Sequence, residues 1–194
     1  MLLTVVLDLS GVNKMFSHDT TMSLQAACAL VNTARMRDGE DRLGSVDDLN
    51  AFYSSWGYAG RHDRDARELE EVHAARAQLA ALWQVDRDEA VTLVNAMLVA
   101  GRAAPQLVRH DDWDWHLHAH DTQAPLAEQI TVETAMALVD VIRSAAFDRL
   151  RTCEGCEAVL VDLSRNSSRR FCDVNNCGNR AHVEAYRARQ HSQG

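Results

Sequence analysis

Four of the five cysteines, Cys153, Cys156, Cys172 and Cys177, fall within 25 residues of a 194-residue chain. Their pattern is C-x2-C, fifteen residues, then C-x4-C. Two close pairs separated by enough chain for one hairpin is the layout that closes a tetrahedral zinc site with four thiolates. Each pair would form a knuckle whose turn N–H groups approach the sulfurs, and Gly155 supplies tight backbone in the first. Four protein ligands leave no position for water, so such an ion is structural rather than catalytic. The segment is too small to bury an adequate core, and metal binding would supply the missing folding energy. Reduced thiols in a cytosolic chain favour metal binding over disulfides. Four unliganded buried cysteines, an iron–sulfur centre and a redox switch are the competing readings. Cys28 stands apart, in the stripe Leu24/Cys28/Val31, where it reads as a small buried hydrophobe.

A second constellation lies in Trp113-Asp114-Trp115-His116-Leu117-His118-Ala119-His120. Its period of two predicts a strand over 113–120, with Trp113, Trp115, Leu117 and Ala119 on one face. Asp112, Asp114, His116, His118 and His120 take the other. The tryptophans read as core, and the histidines as the polar outer face of a half-buried strand. Two further readings stand beside that one. His116 and His118 are candidates to line a pocket for an unidentified small molecule. Two histidines at i, i+2 can also share a metal, with nearby carboxylates completing the site.

Catalysis has little support. The chain has no G-x-S-x-G, no H-E-x-x-H and no phosphate-binding glycine loop, and no nucleophile faces a base at usable spacing. A protein without enzymatic activity is expected.

The elements that must hold these residues are mostly helical. Helices are predicted over 20–35, over 46–56 behind a Ser45/Asp48 cap, over 64–83, and from Asp86 to Gly101. A long helix over 126–149 has two apolar stripes, Ile130/Leu138/Val141/Ile142 and Val132/Met136/Val139, and so should be central. It is expected to run directly into the last segment. There, residues 158–162 and 169–172 predict a β-hairpin around the turn residues 164–168, followed by a short Arg-rich helix from Cys177.

The composition, 46% apolar and 25% charged with 9 Gly and 2 Pro, is globular. No apolar run reaches the ~20 residues of a membrane span. The opening residues lack a basic stretch and a cleavage site, so a cytoplasmic protein is expected. The net charge of −8 argues against indiscriminate nucleic-acid binding. Yet residues 143–194 hold nine Arg against six acidic side chains, while residues 1–142 hold 11 basic and 22 acidic ones. Such asymmetry points to two parts with different partners.

Cys177-Gly178-Asn179-Arg180, with residues 162–172 before it, resembles the signature of the CGNR zinc-finger family. Residues 16–19 and 30–33 are similar to the ABATE domain that precedes such fingers, and the resemblance covers roughly residues 16–190. Residues 1–14 fall outside it. The resemblance implies a stress-linked transcription regulator with an N-terminal sensing domain and a DNA-binding finger. The expected architecture is mainly α with a small β element. A helical domain over 16–147 would precede a treble-clef-like, four-cysteine zinc finger over 148–192, built from a β-hairpin and an Arg-rich helix around one structural Zn²⁺.

Arg165, Arg169, Arg170, Arg180, Arg187 and Arg189 are the candidates for DNA contact, because guanidinium groups bind phosphate bidentately and read guanine. Ala181, Val183, Ala185 and Ala188 would pack the helix back on the hairpin or the long helix. A four-thiolate zinc centre carries about −2, which reduces the finger's excess of +3 to about +1. Nonspecific affinity should therefore be modest and salt-sensitive. The alternatives are a zinc-stabilised protein-interaction adaptor without DNA binding, or a structural clip whose arginines pair with acids of the N-terminal domain. Nothing in the sequence argues for a homo-oligomer.

Overall fold

Apolar stripes closed by polar caps build the helical part. The computed structural model describes residues 15–109 and 115–191. Helix α1 (His18–Asn32) starts where Ser17 Oγ accepts from the Thr20 N–H, and it buries Leu24, Ala27, Leu30 and Val31. In α2 (Val46–Ser55) the expected cap is reciprocal: Ser45 Oγ accepts from the Asp48 N–H, and the Asp48 carboxylate accepts from the Ser45 N–H at 2.9 Å. Helix α3 (Ala66–Ala80) begins later than predicted. Arg64 sits at φ +59°, outside helical space, and Asp65 takes the N-cap. A 3₁₀ turn (Ala81–Trp83) leads to α4 (Arg87–Ala100), capped by Asp86 and Glu89.

Helix α5 (Leu126–Arg143) packs against α1, α3 and α4, which explains apolar side chains on more than one side. Ile130, Val132, Leu138 and Val141 are all fully buried, at ~1.5–3 kcal/mol for each large apolar side chain removed from water. The helix does not run on into the C-terminal segment as expected. Its end is a Schellman motif: the Ala146 N–H bonds to Val141 O at 3.0 Å and the Ala145 N–H to Ile142 O at 3.2 Å, with Ala145 at φ +53°. Alanine stands where glycine is usual, so the stop carries no sequence marker. The chain reverses there and enters a second 3₁₀ turn (Phe147–Arg149).

Strands β1 (Gln106–Val108) and β2 (His116–His118) pair antiparallel, with Leu107 opposite Leu117. The strand is shorter than the 113–120 expected, and Asp112, Trp113 and Asp114 lie outside the described residues. Its faces are also reversed. Trp115 and Leu117 are 61% and 46% exposed, so Trp115 is not core, whereas His116 and His118 are half-buried. Leu107, across from Leu117, shares the outer face, and the Trp115 ring lies 5.4 Å beneath the Arg109 guanidinium.

The second hairpin also differs from expectation. Strand β3 (Leu150–Thr152) pairs with β4 (Val159–Val161), so the first cysteine pair forms the hairpin turn. Residues 169–172 run beside that turn, with the Glu154 N–H bonding to Arg170 O at 3.0 Å, but they form no strand. Strand β4 is buried on both faces. Val159 and Val161 join the helical core, while Ala158 and Leu160 pack with the cysteines. The last element is α6 (Cys177–His191). No helix among the described residues is long and apolar enough to cross a membrane.

The seam between the helices and β4 is polar at Asn32 and at Trp83. Asn32, at the end of α1, donates to Val159 O and accepts from the Val159 N–H, both at 2.8 Å and both buried. Trp83 Nε1 donates to Leu160 O at 3.1 Å. Asn32→Ala would leave two buried backbone groups unpaired, and a loss of about 2–4 kcal/mol is expected in denaturant unfolding. Ala145→Gly should act in the opposite direction. It relieves a left-handed alanine at the cost of unfolded-chain entropy, so a gain of roughly 0.5–1 kcal/mol is expected by the same measurement.

Candidate metal centre and arginine-bearing helix

The four sulfurs converge because three local structures bring them to one point. Cys153 and Cys156 sit in the β3–β4 turn, Cys172 on the segment that returns beside it, and Cys177 at the first position of α6. All four Sγ atoms lie within 4.8 Å of one another. A tetrahedral ion with metal–sulfur bonds of ~2.3 Å needs neighbouring sulfurs ~3.8 Å apart, so the set fits a soft, tetrahedral cation with little adjustment. Cys156 and Cys172 are already 3.5 Å apart.

Donors surround the sulfurs, as thiolate ligands require. The Cys172 N–H points to Cys153 Sγ at 3.2 Å and the Gly155 N–H to the same sulfur at 3.4 Å. The Ala158 N–H and Asn175 Nδ2 both reach Cys156 Sγ at 3.5 Å, and Arg180 Nη2 reaches Cys177 Sγ at 3.0 Å. Burial raises the Cys156 thiol, but hydrogen bonds with Ala158, Asn175, Cys177 and Cys172 together outweigh it and bring the group to about 7. Burial pushes Cys172 up to about 12. Cys28, packed against the helical core, is likewise pushed up to about 12 by burial, as suits an inert apolar side chain.

Gly155 serves close approach rather than an unusual φ. A Cβ there would stand 3.0 Å from Cys177 Cβ and 3.2 Å from its Sγ.

Of the six candidate DNA-contacting arginines, three hold the finger together. Arg169 pairs with Asp173, and Arg170 with Glu154, whose Oε1 lies 2.7 Å from Arg170 Nε. Arg170 also covers the Phe171 ring at 5.5 Å. Arg180 is the sulfur donor already described. These acids belong to the finger itself, not to the helical domain. Arg165 is exposed on the 164–168 turn, and Arg187 and Arg189 are exposed on α6. Val183, Ala185 and Ala188 do not pack back on the body as expected; residues 182–190 are all exposed. Among the described residues, no neighbour covers this helix beyond its first turn.

Several organising residues escaped sequence reading. Asp162 is fully buried; it accepts from the Arg169 N–H at 2.8 Å and the Ser164 N–H at 2.9 Å and pairs with Arg151 at 3.1 Å. Burial opposes its ionisation, but these partners win and hold its carboxyl below the usual range. Asn175 bridges the finger to the loop after α1, accepting from the Arg37 N–H at 3.0 Å and donating to Arg35 O at 2.9 Å.

His116 and His118 stand with their Nε2 atoms 3.1 Å apart. His120, expected on the same face, stands beside them, and the structure adds Glu133. The His120 ring is 4% exposed, and its Nδ1 lies 3.4 Å from Glu133 Oε1 of α5. Burial pushes the Glu133 carboxyl up to about 7 and lowers His120. Glu133 had a readable signal: an acid at i+3 from buried Ile130, on the inward side of a core helix.

A thiolate cluster at a hairpin turn, closed by the first residue of a helix, is the architecture of a zinc finger. Residues 149–190 match the CGNR zinc finger, and residues 24–152 match ABATE, described as "putative stress-induced transcription regulator". The chain belongs to the ABATE family and carries a CGNR zinc finger at its C-terminal side. No curated protein matches it.

Gly155→Ala is expected to weaken metal affinity about ten-fold, as disturbed support around a ligand does, in competition with a chromophoric chelator. The fold at saturating metal should be unchanged by circular dichroism.

Proposed function

We propose that this chain is a cytoplasmic transcription regulator without enzymatic activity. Residues 16–147 sense a signal, and the finger over 148–192, folded around one structural Zn²⁺, contacts DNA. One observation carries the reading: α6 begins on a metal ligand and projects from the body with Arg187 and Arg189 exposed. A metal-fixed helix origin gives such side chains a defined direction toward a groove. Zinc is the ion that suits four thiolates, a tetrahedral frame and no open position. Family membership supports the regulatory role at the level of class.

The route from sensing domain to finger runs through α1 rather than α5. Asn32 and the loop after α1 hold β4 and Asn175, so a signal that moves α1 would move the finger with it.

Exposed Val174, Val183 and Tyr186 favour a second reading, a zinc-stabilised adaptor that binds protein. Binding of zinc-loaded protein to a random DNA pool across salt separates the two. The informative variant is Arg165→Glu/Arg187→Glu, since neither side chain supports the metal centre. Salt-sensitive enrichment is expected, with a log–log slope about 1.8 shallower in the variant for two lost phosphate contacts. No enrichment even at low salt would assign the finger to protein interaction.

A further inference from the structure

The helical domain holds a second group of metal-type ligands, away from the cysteines. His118, His120 and Glu133 each offer one ligand atom, and the three atoms lie within 4.8 Å of one another. They come from two elements: the histidines from β2 and the residues just after it, the carboxylate from α5.

We propose that His118, His120 and Glu133 bind a divalent cation of zinc type, a site separate from the finger and of different chemistry. Two imidazoles and one carboxylate suit borderline divalent ions and leave coordination positions open, unlike the closed thiolate site.

Three observations carry this. First, the approach distances match. Ligands around an ion held at ~2.1 Å stand ~3.0–3.4 Å apart, and His120 Nδ1 lies 3.4 Å from Glu133 Oε1. The ligand atom of His118 lies within 4.8 Å of both. Second, His120 Nδ1, in a ring only 4% exposed, makes no hydrogen bond of good geometry and has the Glu133 carboxylate 3.4 Å away. Such a nitrogen costs about 1–3 kcal/mol unless something satisfies it, and a cation beside a carboxylate does so. Third, the strand turns its histidines inward while Trp115 and Leu117 stay in solvent, the reverse of what burying apolar surface alone would select. His116 Nε2, 3.1 Å from His118 Nε2, places a third imidazole nitrogen beside the group.

This assignment does not depend on DNA binding. The test uses the tag-free full chain with its finger loaded, titrated with Co²⁺ and with Zn²⁺ against a chromophoric chelator. The parent should take up a second equivalent, and its Co²⁺ spectrum should show weak d–d bands without the thiolate charge-transfer bands of the finger. Glu133→Gln and His120→Gln, on different elements, should each weaken that equivalent by at least ~10-fold while leaving the first unchanged. Saturation of the parent at one equivalent overturns the proposal without any variant. Retention of the second equivalent at parental affinity in a folded variant overturns it too.

Discussion

Strand β4 and the residue before it carry the central constraint of this molecule, because four consecutive residues must serve two cores at once. Val159 and Val161 face the helices, while Ala158 and Leu160 face the cysteines. A strand buried on both sides leaves none of its backbone groups to water. Pairing with β3 satisfies one edge. On the other, Asn32 supplies the donor and acceptor that a neighbouring strand would have offered. An amide side chain stands in for a peptide group, and it stands at the C-terminal end of the helix that α5 packs against.

This arrangement changes what the metal does. In an isolated finger the ion compensates for a missing core. Here the hairpin already has apolar support on one face, so the ion's distinct task is to organise the other face and the origin of α6. The hydrogen bonds from Ala158, Asn175 and Arg180 to sulfur tie that task to β4, to the loop after α1 and to the helix itself. Asn175 touches both the metal centre and the helical domain, which joins the two matched families into one mechanical unit at that point.

Helix α1 also reaches the other end of the domain. Asp19 in its first turn accepts from the Leu117 N–H at 3.3 Å, and Asn32 at its last holds β4. The helix is therefore a rod of about 20 Å between the histidine strand and the finger. The inferred second metal site and the thiolate site lie at opposite ends of it.

The sequence alone determined the thiolate set, the helical class, the caps at Ser45 and Asp86 and the arginine excess. These are local properties. Cysteine spacing, a Ser45/Asp48 pair and a 3.6-residue stripe are each complete within a few residues. Tertiary structure decided what depended on a neighbour. The end of α5 rested on an alanine in left-handed backbone, a conformation that glycine announces and alanine does not. The hairpin partner of β4 was settled by burial on both its faces, which alternation cannot assign when every position is apolar. The direction of His116 and His118 was decided by which side of a two-stranded sheet the helices cover. Sorting the arginines into supports and exposed groups needed Asp173, Glu154 and Cys177 in space, since charge composition is blind to pairing.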